Sequence, residues 1–267
     1  MAPRYHQGVT QEAPRTSAGA KPENGDEPAA RPVEGAHQTL AQKIYLDLRA
    51  DIMMGRIGPG ESLTIRGLAT HYAVSAMPVR EALRRLISEQ ALEMQDNRRV
   101  RIATMTMDRF EDLLAARVTL ETEAAMRAFD FIDKDRLTLL EQIDEELTQA
   151  SKAKEYDRWM ERNLAFHSCI YEARPASAFV SLIESVWLQM GPFMRRALVE
   201  IRNHYPVDRH IEALQAIRNR DRLALKIAIE ADIRDGISHI GSQLINDDAR
   251  NAASGKGKGN ANGRGGR

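Results

Sequence analysis

LTIRGLATHYAVSAMPVREALRRLISEQALEMQDNRRVRI, residues 63–102, reads as two helices joined by a tight turn and followed by a short hairpin. Leu68, Ala69 and Tyr72 recur at helical spacing, and Thr64 stands where an N-cap is needed. Ala73, Val74 and Ser75 interrupt that helix, and a second begins at Ser75 with Pro78 close behind. Proline is tolerated in a first helical turn because its missing N–H would be unpaired there anyway. Val79, Ala82, Leu83, Leu86 and Ile87 mark one apolar face, and Arg80, Arg84 and Arg85 lie off it. Ala91–Gln95 and Arg98–Ile102 then read as strands on either side of Asp96-Asn97, a turn pair. The whole is a winged helix-turn-helix.

That shape suits DNA. A helix of about 10–12 Å diameter fits a major groove about 12 Å wide. Residues near its start reach base edges, while the preceding helix crosses the backbone. Arg80 lies one turn into the second helix, where a guanidinium can pair with a guanine edge. Ser75, Ala76 and Met77 offer a hydroxyl and backbone N–H groups to phosphate. Arg98, Arg99 and Arg101 on the wing are placed to enter a minor groove or grip backbone. Arg84 and Arg85 either join this face or form an ordinary solvated one.

The run from Val74 to Leu86, VSAMPVREALRRL, closely resembles the recognition-helix signature of the GntR family of bacterial transcription regulators. The resemblance continues upstream through Leu63–Ala69 and back to Gln42. By position it implies DNA contacts at Arg66, Arg80 and the turn residues Ser75, Ala76 and Met77. Two departures stand out. Ala76 replaces an arginine common in the family, and Arg99 replaces a usual wing glycine.

Around this segment, 267 residues allow roughly two domains, and 43% hydrophobic content supports real cores. Formal net charge is zero, with the acidic residues concentrated after position 108. The one cysteine, Cys169, excludes an internal disulfide framework and suits a reducing cytoplasm. No uncharged apolar run is long enough for a membrane span, and no signal core opens the chain. Residues 1–36 read as a disordered tail, 37–104 as the winged DNA-binding domain, 105–247 as a second domain and 248–267 as a basic disordered tail.

A first helix is expected from about Thr39 to Met54, with Leu40, Ile44, Leu48 and Ile52 in step, ended by Gly55. Glu61–Leu63 reads as a short strand against the wing. The second domain carries only helical periodicity, with Asp108 expected to cap its first helix, which reaches about Phe129. Further helices are expected over 135–152, 155–172, 177–202, 207–219 and 222–244, the fourth of the six interrupted at Gly191-Pro192. The fold class is therefore mainly α: an N-terminal winged helix-turn-helix and a C-terminal antiparallel all-α bundle.

Four polar residues punctuate the bundle. Asn163 and His167 are four apart on one helix and share a face. His210 opens another helix, and Asp232 sits among Ile227, Ile229 and Ile233 on the last. Such residues either build a divalent-metal site between helices or are separate structural groups. This half resembles the effector domain of the FadR-type branch of the GntR family, the FCD domain. The resemblance implies metal ligands at Asn163, His167, His210 and Asp232, with Asn163 replacing an aspartate and Asp232 a histidine. The ion implied is zinc, nickel or manganese. Arg117 and Glu121 match the family's Arg-x-x-x-Glu, whose arginine points into the effector pocket; otherwise they make a surface i,i+4 ion pair.

The implied function is a cytoplasmic, homodimeric repressor that binds an inverted-repeat operator in double-stranded DNA and senses a small organic acid. A metal sensor is the first alternative. A metal-dependent enzyme with a DNA-binding appendage is the second, but no helix carries HExxH and no general-base motif accompanies the histidines.

Overall fold

A computed structural model of the chain describes residues 39–95, 99–200 and 209–256. The expected N-terminal tail, the turn Asp96-Asn97, Arg98 and the residues beyond 256 lie outside the described residues.

Helix α1, Leu40–Met53, starts at Thr39, whose side chain accepts from the Gln42 N–H. Gly55, at φ +64, turns the chain away. Strand β1, Ser62–Leu63, precedes α2, Ile65–His71, where the Thr64 side chain accepts from the Gly67 N–H. Ala73 carries the turn in the left-handed region at φ +53. Helix α3, Ala76–Ser88, buries Val79, Ala82, Leu83 and Leu86. Its N-cap, Ser75, makes no capping bond with its side chain, so the hydroxyl is left over for another acceptor or donor. Strands β2, Leu92–Met94, and β3, Val100–Ile102, are shorter than expected, and β3 lies antiparallel between β1 and β2.

The bundle begins with α4, Met107–Ala128. Its cap is Thr106, not Asp108. Thr106 has the extended backbone of a cap and accepts from the Arg109 N–H, while Asp108 lies in the first turn, where an acid suits the helix dipole. A 3₁₀ turn, Phe129–Phe131, leads to α5, Lys134–Ala153, capped by Asp133. Helix α6 spans Tyr156–Tyr171, α7 Ala178–Glu200, α8 Arg209–Arg218 and α9 Arg222–Lys256.

Two expectations change here. Helix α7 runs unbroken through Gly191-Pro192, both of which are buried. Gly191 is the point where α7 meets the last turn of α1: a Cβ there would lie 2.2 Å from the Met53 carbonyl oxygen. The pair is thus a packing seat, and burial holds the helix through the missing Pro192 N–H. Helix α9 continues to Lys256, so residues 248–256, read from composition as tail, are helical. Arg196 of α7 grips both carboxylate oxygens of Asp248, at 2.5 and 2.8 Å, and ties this extension to the bundle.

Helix α4 packs chiefly on α9, α5 on α6, α8 on α9, and α7 against both α1 and α4. One hydrophobic core runs without a gap from Ile44, Leu48, Val79 and Leu86 to Phe166, Ile170, Leu188 and Ile229. The winged half is therefore not a bead on a linker. Arg49 of α1 reaches Glu184 of α7 at 3.1 Å, and Arg56 reaches Glu161 of α6 at 2.8 Å. Both pairs are partly exposed and add orientation more than energy.

Candidate functional site

The outer face of α3, with Arg66 of the preceding α2, carries the nucleic-acid candidates. Arg66, Ser75, Ala76, Met77, Arg80 and Arg84 are all exposed, Met77 at 73%. Arg66, Arg80 and Arg84 have no carboxylate partner among the described residues, whereas many exposed arginines of the bundle do. Unpaired guanidinium groups on one face of a recognition helix are what a polyanion requires. Arg85 and Arg101 differ. Arg85 stacks 3.7 Å over the Tyr45 ring and bonds Gln42, and Arg101 pairs with Glu93 at 2.5 Å. Both therefore serve the internal architecture. Arg99 is exposed on the wing.

The second candidate lies inside the bundle. His167 of α6, His210 of α8 and Asp232 of α9 bring one ligating atom each within 4.8 Å of one another. His167 Nε2 is 3.2 Å from one Asp232 oxygen and His210 Nε2 is 3.9 Å from the other. Both imidazoles are only 1% exposed. Phe166 stacks on the His210 ring at 3.9 Å. Asn163, one turn before His167, lines two adjoining clefts together with Arg117.

The protons in this centre can be placed. Glu121, fully buried, accepts from Arg117 Nε at 2.7 Å, Trp187 Nε1 at 2.8 Å and the Tyr171 hydroxyl at 2.9 Å. Burial, then the Glu121 charge, holds the Tyr171 phenol well above its ordinary value, so its proton stays and is committed to Glu121. The Tyr171 oxygen can then only accept from His167 Nδ1, 3.1 Å away. That leaves His167 Nε2 as a lone pair facing Asp232, and it has no hydrogen-bond partner. His210 Nδ1 lies 3.1 Å from the buried Asp144, whose carboxylate takes its proton and turns Nε2 inward in the same way. A carboxylate or hydroxyl behind each imidazole is how metal-ligating histidines are oriented.

The surface ion-pair alternative for Arg117 and Glu121 is thereby excluded: they are 3% and 0% exposed. Burial pushes the Arg117 value down, but Glu121, Tyr171 and Asp232 outweigh it, and the guanidinium stays charged. Burial likewise pushes Asp232 up, whereas the two imidazoles when protonated, and the Arg117 guanidinium, draw it below the ordinary carboxylate range. Its folded value is the lower one, so the stability it contributes is full above the unfolded carboxylate value and is lost as pH falls from there through the folded one. Tyr171, Asp144 and Trp187 were not among the residues expected from sequence. Two had a signal: Tyr171 is four residues after His167, and Asp144 falls in the buried stripe of Leu140, Ile143 and Leu147.

Residues 40–102 match the model of bacterial regulatory proteins of the gntR family, and residues 112–235 match the FCD domain. The HTH-type transcriptional regulator McbR of Escherichia coli is 27% identical over 190 residues, 70% of this chain and 86% of that one. An uncharacterised HTH-type regulator of Paraburkholderia xenovorans, BphR, is 30% identical over 177 residues, 62% of this chain and 71% of its own. The chain belongs to the GntR family. The solved structure of E. coli McbR shares its fold, with a TM-score of 0.69 at 24% identity over 77% of this chain and 99% of that one. GntR proteins of this kind are transcription regulators, not enzymes. Among the described residues no helix is long and apolar enough to cross a membrane.

FCD domains often bind a metal, and this GntR member has residues that fit one. Ligands about 2.0–2.1 Å from an ion at tetrahedral angles stand roughly 3.3 Å apart. The 3.2 Å between His167 Nε2 and Asp232 meets that requirement, and the 3.9 Å between His210 Nε2 and the other oxygen is wider and would have to close on binding. Two imidazoles and a carboxylate make a borderline-to-hard donor set, suited to zinc, nickel or manganese, and Asn163 lines the clefts beside them. His167→Ala and His210→Ala should each strip bound divalent metal from the purified protein, measured by plasma mass spectrometry. Acidification should do the same, because an imidazole ligates only in its neutral form. Wild-type metal content in both variants would make the two histidines purely structural.

Proposed function

We propose that this GntR regulator is a ligand-responsive repressor. It binds an inverted-repeat operator as a homodimer and releases it when a small organic acid enters the bundle beside a divalent ion. The observation that carries the acid reading is the buried, charged Arg117 lining both clefts next to the His167–His210–Asp232 cluster. A carboxylate there would be held by guanidinium and metal together. Residues 37–104 form the DNA-binding domain and 105–247 the effector and dimerisation domain in this reading, with the whole working in the cytoplasm. Repression is supported by relatives such as the gluconate operon repressor of Bacillus subtilis, 25% identical over 203 residues. Dimerisation is supported by apolar surface on α9, where Leu223 and Ile227, one turn apart, stay mostly exposed. Such surface suits a two-fold partner, and a two-fold operator requires one.

A binding titration at fixed salt with selected operator DNA tests the reading. Arg80→Ala should weaken specific binding by about 1–3 kcal/mol per half-site and leave the fold intact. Metal-loaded wild type should release the DNA on addition of at least one carboxylate. Release by metal alone would make the ion the signal, and unchanged binding by Arg80→Ala would move the base contacts elsewhere.

A further inference from the structure

We infer that the ligand is a carboxylate with an apolar body, and that this body lies against α1, so that the DNA-binding half itself forms one wall of the ligand site. This rests on the acid reading above and specifies it. The Arg117–Asn163 centre opens into two clefts of different character. The first is walled by Met53 and Met54 at the end of α1, with Met160, Met194 and Trp187 from the bundle and Arg117 at its polar end. The second faces α9 through Asp232, Ile233, Gly236 and Ile237 and touches nothing of α1.

Four methionines around one small cleft are a distinctive wall. Thioether side chains are unbranched, polarisable and able to refill around bodies of different outline. Among the described residues, the polar side chains lining it are Arg117, Asn163 and His167, together with Trp187, whose N–H is taken up by Glu121. Among the described residues no hydroxyl or further amide lines it to receive the hydroxyl groups of a sugar acid, which would lose their water without replacement. The cleft is narrow, about 330 Å³ with the open solvent at its mouth included, so a ligand body enters where the methionine side chains yield. Unbranched alkyl acids are the bodies such a yielding wall takes up.

Its position gives the ligand a direct hold on the DNA-binding half. Met54 packs on the cluster of Leu147, Ala150, Trp159 and Met160, and Met53 provides the carbonyl on which Gly191 sits. Gly191 also lines the cleft. A body pressing between Met53, Met54 and α7 therefore acts on the seam between α1 and the bundle. Regulation requires contacts that differ between two states, and a wall drawn from both halves supplies them.

The test uses the full-length, metal-loaded protein and four probes, acetate, butyrate, hexanoate and octanoate, with gluconate as the polar control. In calorimetric titration, affinity should rise roughly tenfold per added pair of methylenes until the cleft is full, and gluconate should bind no better than acetate. Met54→Ser should flatten that series while keeping acetate affinity, which also shows that the variant is folded. Gly236→Leu should leave the series unchanged, since a Cβ there meets nothing within 4 Å and the residue lines the second cleft and not the first. Octanoate, not acetate, should slow amide hydrogen exchange over residues 50–56. A flat series in the wild type, flattening by Gly236→Leu instead of Met54→Ser, or unaltered exchange with octanoate bound would overturn the inference while sparing the acid reading. Absence of binding by all five acids would overturn both.

Discussion

Glu121→Ala should cost about 3–5 kcal/mol of stability, the scale for removing one partner of a buried ion pair. The substitution leaves the Arg117 guanidinium, 3% exposed, without its carboxylate. It also strands the donors of Trp187 and Tyr171, which have bonded to the same group at 2.8 and 2.9 Å. A second effect reaches the metal centre. Once Glu121 no longer takes its proton, the Tyr171 hydroxyl is free to donate to His167 Nδ1. The imidazole would then carry its proton on Nε2, facing Asp232, and lose the lone pair needed for ligation. Urea unfolding should show the stability loss, and metal affinity should fall well beyond what unfolding alone explains. A loss under about 1 kcal/mol with metal affinity intact would contradict the proton assignment.

Gly191→Val should destabilise by upwards of about 3 kcal/mol, at the severe end of overpacking. A Cβ at Gly191 would stand 2.2 Å from the Met53 carbonyl oxygen and 2.7 Å from that of Ile52. Both obstacles are backbone, so no rotamer change relieves them. The opposing side is equally tight: a Cβ at Gly55 would lie 2.3 Å from Cβ of Arg195, and Gly55 sits at φ +64. Helix α1 must therefore lift off α7, opening the core between Met53 and Trp187. Differential scanning calorimetry checks this, and even Gly191→Ala should lower the melting temperature measurably. Full tolerance of valine would show that α1 moves freely over α7.

Much of this was legible before any coordinates. The cap at Thr64, the turn before Ser75 and the arginines off the apolar face are local matters, governed by spacing and side-chain chemistry. Thr106 and Asp108 are both capping types two residues apart, and only the backbone path chooses between them. Gly191-Pro192 carries the signature of a break because its reason for existing, the Met53 carbonyl, is far away in the chain. The end of α9 was lost for a similar reason: its composition lacks apolar residues, and what holds it is Arg196 on Asp248. In the site, the three converging groups, Asn163 and Arg117 were all legible as candidates. The residues that set their protons were not, since a buried Asp144 or Tyr171 acquires a role only from a partner on another helix.

The continuous core running from Leu48 and Val79 into Phe166 and Leu188 bears on how such a chain can change over generations. Exchange of whole modules is the quick route to a new pairing of signal and operator. A crossover near residue 104 would here detach α1 from the α7 face that receives it, leaving Arg49 without Glu184 and Met53 without Gly191. A viable hybrid has to bring along the matching surface of α7. Gradual retuning of the ligand is easier on the bundle's own side of the cleft, at Met160 or Met194, than at Met53 or Met54, where every change of taste is also a change in how the DNA-binding half is seated.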